Sequence, residues 1–213
     1  MVLGIFDHAF YINCDHRKDR RLFFETQAKQ INMQVERFSA IIPKDKGKFG
    51  TLGIRGCGES HLALWKLARE RKYKYTLFLE DDAAFTYEGI SALHEFANEL
   101  AIKNWDMFYL QVKRRRVRNC EDLNRGIHQV SASILTHAYA VRDSALDFLI
   151  EKQQRNDSLP IDLYLHDFIH SSLKVCGIGP AVAFQLYSKS DVCENPRPSN
   201  LPVGCTPVLT DRI

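Results

Sequence analysis

Three consecutive acids, Glu80, Asp81 and Asp82, close the run YTLFL of residues 75–79. An ionised carboxylate taken out of water is costly unless something pairs with it, so three together at the end of a buried strand call for a cation. On an extended chain Glu80 and Asp82 project to one side and Asp81 to the other. Hard divalent ions such as Mn²⁺ or Mg²⁺ take oxygen ligands, usually one or two carboxylates together with substrate phosphates. The cluster therefore reads as a diphosphate-metal site. Capping of the next helix, or pairing with nearby Lys and Arg, is the competing reading of the same acids.

The elements around the cluster follow from periodicity. AFYIN, Ala9 to Asn13, predicts a strand, and the polar stretch after it leads into a helix carrying Leu22, Phe23, Ala28 and Ile31. VERFSAI, Val35 to Ile41, predicts a second strand, and PKDKGKFGTLGIRGCG after it is too rich in Gly for regular structure. Ser60 is placed to cap the next helix, whose apolar positions include Leu64, Leu67 and Ala68. Thr76 to Leu79 form the strand that ends in the acids. Ile90, Leu93, Ala97 and Leu100 share one helical face, and Asp106 to Val112 predicts another strand. The basic run KRRRVR opens an exposed loop reaching about His128. Ala138 to Val141 is a short strand, and Ala145, Leu146, Leu149 and Ile150 mark a helix. PIDLYLHDFIHSSL reads as a further helix with Pro160 in its first turn. This alternation predicts an α/β domain with a mainly parallel sheet, helices on both faces and ligands outside the carboxyl ends of the strands. Residues 1–192 form a single domain in this reading, and the proline-rich residues 193–213 an irregular strap.

Composition narrows the function classes. A formal net charge of +3 argues against a general nucleic-acid coat. KRRRVR has no interleaved aromatic residues, so a solvated loop explains it better than specific nucleic-acid binding. The amino terminus lacks the basic lead and long apolar run of a secretory signal, and no stretch approaches the roughly 20 apolar residues of a membrane span. The expected location is cytoplasmic, or the cytoplasmic face of a membrane. Six cysteines without a C-x-x-C pair disfavour a zinc site and read as reduced thiols, with disulfides in the C-terminal third as the minor alternative.

The ordered blocks YINCDHRKDRR, ERFSAI, GIRGCGESHLALW, LFLEDDAAF, WDMFYLQ, HAYAVRDSAL, PIDLYL and FQLYSKSDV resemble those of the family 25 glycosyltransferases. That family includes bacterial lipooligosaccharide galactosyltransferases and collagen hydroxylysine glycosyltransferases. The resemblance runs from about Phe10 to Val192. It implies a GT-A-like fold, a UDP-sugar donor, a divalent cation (Mn²⁺ or Mg²⁺), and transfer with inversion to a hydroxyl of a glycan or glycoprotein. Carried over position by position, Asn13, Asp15, Arg17 and Arg20 match the nucleotide-binding opening block. Arg suits bidentate phosphate contacts there, and Asn or Asp suits ribose and base hydrogen bonds. Glu80, Asp81 and Asp82 match the acidic block, which implies Asp82 as the direct metal ligand with Glu80 or Asp81 as second ligand, water-mediated ligand or ribose contact. Ser60 and His61 match the S-H block, where the hydroxyl and a catalytic imidazole would meet donor or acceptor oxygens. Gln185, Ser190 and Asp191 match the closing block at the donor pocket. Inversion needs a base for the acceptor hydroxyl, and Asp162 is assigned that role ahead of His166 or Asp167. Asp106 matches another block and has an equally good structural explanation. His137 stands where the family often has a small residue, which narrows the donor pocket. A nucleotide-sugar or carbohydrate-binding module without catalysis is the alternative function on the same fold.

Overall fold

The computed structural model describes residues 3–113, 123–186 and 205–209. Seven strands form the central sheet: β1 His8–Asn13, β2 Glu36–Ser39, β3 Tyr75–Glu80, β5 Met107–Tyr109, β6 Gly126–Gln129, β7 Ala138–Arg142 and β8 Val175–Gly179. Their order is β2-β1-β3-β7-β5-β8-β6. β1 pairs in parallel with β2 and β3, and β5 with β8, while β7 is inserted antiparallel between β3 and β5 and β6 closes the edge antiparallel to β8. Five of the seven strands therefore run one way. A two-stranded ribbon, β4 Ala83–Phe85 with β9 Ala183–Gln185, continues from the acidic turn.

Side chains alternate along the strands, and that alternation builds two cores. Ala9 and Tyr11 of β1, with Leu77 and Leu79 of β3, pack with α1 Lys18–Gln30, α3 Tyr87–Glu95 and α4 Ala97–Ile102. Phe10, Ile12 and Phe78 face the other way, onto α2 Leu52–Glu70, α5 Asp143–Gln154 and the short α6 Ile161–Tyr164. The expected α/β arrangement, a mainly parallel sheet between helices, is present. Among the described residues, no helix is long and apolar enough to cross a membrane.

Several local expectations are corrected. α2 begins at Leu52, capped by Thr51, whose hydroxyl accepts from the Ile54 N–H at 3.1 Å, so Ser60 lies inside the helix rather than at its start. The glycines there serve close packing instead of a loop: a Cβ on Gly56 would stand 2.5 Å from the Ile41 carbonyl oxygen. The helix expected over residues 90–100 breaks at Phe96 into α3 and α4. Residues 126–129 form β6 and not the end of a loop. Pro160 caps α6 from outside, and the expected long helix continues only as a π turn, Leu165–Ile169, and a 3₁₀ turn, His170–Ser172. β3 ends at Glu80, so Asp81 and Asp82 lie in a turn and do not alternate as strand residues. Most of KRRRVR and most of the proline-rich tail lie outside the described residues; within the tail, Pro207 bridges to Thr86.

Candidate functional site

A cavity of about 540 Å³ opens at the carboxyl ends of β1 and β3. Glu80, Asp81, Asp82, Arg20, His137, Asp162 and Gln185 supply its polar wall. Residues 40–43, Leu52 and Ile54 of α2, and Ile161 and Leu163 of α6 supply an apolar wall. The position is the one a mainly parallel sheet offers, where strand ends and helix starts converge.

The three acids have separate surroundings. Asp81 is bonded on both oxygens: it accepts from Asn13 Nδ2 at 2.7 Å and from the Arg20 guanidinium at 2.9 Å. Burial still lifts its carboxyl above the usual range, against the pull of Arg20 and Asn13. Asn13 Oδ1 in turn accepts from Arg37 Nε at 3.0 Å, and Arg37 pairs with Asp15, which also accepts from the Ser39 hydroxyl at 2.8 Å. The competing reading of the acids is thus realised at Asp81, which is paired with an arginine.

Asp82 is different. Its Oδ2 accepts from Gln185 Nε2 at 3.2 Å and lies 3.5 Å from Arg20, but its buried Oδ1 has no partner among the described residues. Burial first, then the charges of Glu80 and Asp81, push its carboxyl up to about 7. A desolvated carboxylate oxygen without a donor, beside two more acids, fits a hard divalent cation. Asp82, with Glu80 beside it, would hold one.

Glu80 ends a directional chain of hydrogen bonds. Trp65 Nε1 can only donate, and it donates to the Tyr139 hydroxyl at 3.0 Å. The Tyr139 hydroxyl in turn donates to His61 Nδ1 at 2.8 Å, an arrangement that places the His61 proton on Nε2, facing Glu80 Oε1 at 3.3 Å. Thr136 donates to the same Glu80 oxygen at 2.8 Å. Burial opposes the Glu80 charge, yet the bonds from His61 and Thr136 outweigh it and hold the carboxyl below its usual range. His61 is fully buried and meets the cavity through Glu80.

The remaining residues singled out from the sequence sort by place. Ser60 is buried in α2, donating to the Gly56 carbonyl at 2.7 Å and accepting from the Ile41 N–H at 2.9 Å, and it touches the cavity wall. Asp162 lies on the cavity rim in the first turn of α6, where Oδ1 accepts from the Leu163 N–H at 2.8 Å. Arg17 precedes α1 and pairs with Asp19 at 2.8 Å. His166 and Asp167 bond to each other at 2.8 Å, and Asp106 accepts from the Lys174 N–H at 2.8 Å. Ser190 and Asp191 lie outside the described residues. His137 lines the cavity, and neither ring nitrogen has a partner of bonding geometry; burial lowers its pKa to about 4, so it stands neutral. Cys57, Thr136, Tyr139 and Arg37 were not singled out from the sequence. Cys57 alone carried a signal, its four-residue spacing from His61.

Residues 44–165 match the family described as glycosyltransferase family 25 (LPS biosynthesis protein). The chain belongs to that family. It is 28% identical over 186 residues to procollagen galactosyltransferase 1-B of Xenopus laevis, an alignment covering 75% of this chain and 30% of that protein. A glycosyltransferase 25 family member of Drosophila pseudoobscura is 28% identical over 130 residues, 51% of this chain and 21% of the relative. The chain spans about 30% of the length of the procollagen galactosyltransferases it matches. A solved glycosyltransferase involved in glycosylation of the major capsid of PBCV-1 aligns over 81% of both chains with a TM-score of 0.49 and 11% identity.

Proposed function

We propose that this chain is a hexosyltransferase module that moves galactose or glucose from a UDP-sugar to a hydroxyl of a glycan or glycoprotein, with inversion at the transferred carbon. The observation that carries this reading is Asp82, a buried cavity acid with one unpartnered oxygen, in a chain of family 25. The names of its relatives support a galactosyl donor and a procollagen-type or lipopolysaccharide-type acceptor. A bound Mn²⁺ or Mg²⁺ would supply positive charge to a diphosphate leaving group.

The side chains have these roles in the proposal. Arg20 exchanges part of its hold on Asp81 for a phosphate oxygen, a bond its planar fork suits. Asn13, Asp15 and Arg17 at the mouth of β1 meet the nucleoside, and Gln185 and Ser60 border the sugar. The apolar wall excludes water from the reacting carbon. Asp162 takes the acceptor proton as the hydroxyl attacks from the face opposite the diphosphate. His61 holds Glu80 ionised and oriented.

The test is transfer from a panel of UDP-hexoses with Mn²⁺ to procollagen peptides and lipopolysaccharide-type glycans, read by UDP release and product mass. The expected result is turnover with one hexose that Asp82→Ala abolishes. UDP binding without turnover on any acceptor would replace the enzyme with the non-catalytic binding module.

A further inference from the structure

Behind Glu80 at the cavity wall stands a second set of donor atoms, completed by Cys57, which has no part in the proposed transfer. One ligand atom each from Cys57, His61 and Glu80 lie within 4.8 Å of one another. Cys57 and His61 are four residues apart on α2, which stacks them on one helical face, and Glu80 meets them from the end of β3. The pair His61 Nε2 and Glu80 Oε1 is 3.3 Å apart, long beside the roughly 2.7–2.9 Å usual for a hydrogen bond to an ionised carboxylate. It matches the roughly 3.3 Å between two ligands of a tetrahedral ion with bonds of about 2.0–2.1 Å. Thiolate, imidazole and carboxylate together suit a borderline-soft ion such as Zn²⁺ better than Mn²⁺ or Mg²⁺.

The surrounding shell is already built. The Tyr139 hydroxyl sits 2.8 Å from His61 Nδ1 and is itself held by Trp65, and the Thr136 hydroxyl orients Glu80. A ligating imidazole normally has such a partner on its other nitrogen. Cys57 and Glu80 both line the cavity, so the site is reached from solvent.

We propose that Cys57, His61 and Glu80 bind one zinc-type divalent cation, at a site separate from the oxygen-only position at Asp82. On binding, the His61 proton moves from Nε2 to Nδ1 and donates to the Tyr139 oxygen, whose hydroxyl turns from donor to acceptor in that contact, and the Cys57 thiol releases its proton to solvent. Burial, followed by the negative charges of Glu80, Asp162 and Asp82, keeps that thiol protonated in the metal-free chain. Those same charges attract a cation. Glu80 is common to both positions, so filling the thiolate site withdraws a ligand from the other and zinc suppresses manganese-dependent transfer. This inhibitory consequence rests on the proposed function; the binding does not.

The test is titration of the purified chain with Co²⁺, without nucleotide. One equivalent binds with a thiolate-to-cobalt charge-transfer band and the visible bands of a four-coordinate site, and Zn²⁺ displaces it. Cys57→Ser removes the charge-transfer band and weakens Zn²⁺ binding on the order of tenfold or more, the loss that even an outer-shell partner can produce. Cys14→Ser, which changes the other thiol lining the cavity, leaves the band in place. Should Cys57→Ser fail to fold, the wild-type chain decides: Zn²⁺ protects Cys57 from alkylation, read by peptide mass. Cobalt binding without a charge-transfer band, a band that survives Cys57→Ser, or alkylation of Cys57 undiminished by Zn²⁺ overturns the site. Zinc binding at Cys57 with transfer unaffected would overturn only the inhibition, and a chain that binds zinc but transfers nothing would leave the site standing while the enzyme reading falls.

Discussion

The two sides of the cavity differ in how their polar groups are satisfied. On the β1 side, Asp81, Asn13, Arg20, Arg37 and Asp15 form a network in which each carboxylate has a donor, though Arg20 Nε makes no hydrogen bond among the described residues. On the β4–β9 side, Asp82 Oδ1 and both nitrogens of His137 have no bonding partner among the described residues. A ligand on the first side exchanges one partner for another, with little net gain. On the second side it satisfies groups already desolvated, where each new bond returns a penalty of about 1–3 kcal/mol. In the proposed function the first side would set position and the second would supply affinity.

Asp82→Asn is the sharpest way to break this comparison. The proposed metal-assisted transfer should fall by on the order of a hundredfold or more, the scale of losing a preorganised electrostatic group. Stability should move the opposite way. The folded Asp82 carboxyl titrates near 7, above its ordinary 3.8, so the folded state holds the extra proton between those values. The burden of its charge therefore grows as pH rises from about 4 to 7 and is full above 7, on the order of a few kcal/mol. Urea unfolding should show Asp82→Asn more stable than wild type at pH 8 and indistinguishable at pH 4. Equal stability at pH 8 would mean that this side carries no unsatisfied charge.

Arg20→Ala probes the β1 side. Asp81 is buried and Arg20 mostly so, and removing the guanidinium leaves a carboxylate without its cation, a loss of about 3 kcal/mol by analogy with other broken buried pairs. Because Arg20 also stands 3.5 Å from Asp82, the double variant Arg20→Ala/Asp82→Asn should recover part of that loss. A double-variant stability equal to the sum of the two single effects in denaturant unfolding would show that the two sides are not coupled through Arg20.

Much of this contrast was legible in the sequence, and the illegible part has physical causes. The strand closing in Glu80, Asp81 and Asp82 was readable because apolar alternation stops where charge begins. The start of α2 was not, because Gly53, Gly56 and Gly58 suggest a loop unless Ile41 is known to press on that face. Misplacing that start put Ser60 at a helix end and hid the alignment of Cys57 with His61. β8 escaped for a similar reason: Gly177 and Gly179 weaken its strand character, yet a Cβ on Gly179 would stand 2.1 Å from the Leu123 carbonyl oxygen. The split between Asp81 and Asp82 depends on Arg20, 61 residues from Asp81 in the chain, and no local pattern encodes it.

Buried histidines act with the opposite sign to Asp82. Burial lowers His137 to about 4 and His170 to about 3, below the ordinary 6.5, so the unfolded chain takes up protons first. Stability should fall as pH drops below about 6.5 and continue falling towards 3, by up to a few kcal/mol for each group. In the Asp82→Asn background, which removes the opposing titration, unfolding midpoints that stay flat from pH 6.5 to 4 would show that these rings are charged in the fold. With Asp82 weakening the alkaline side, wild type should be most stable in weak acid, and Asp82→Asn should shift that optimum upward.

The smallest expected effect is that of Asp15→Asn. Asp15 is exposed, and its carboxyl is held below the ordinary range by hydrogen bonds from Arg37 and Ser39. Exposed pairs of this kind add little to stability, so the melting midpoint should stay within error of wild type. Its consequence falls on position: without the acid, Arg37 retains its bond to Asn13 but loses its outer anchor. The proposed UDP-sugar KM should rise a few-fold, on the scale of one lost hydrogen bond of about 1 kcal/mol, with kcat little changed. A fall in kcat equal to that of Asp82→Asn would mean that the β1 side enters the transition state and does more than set position.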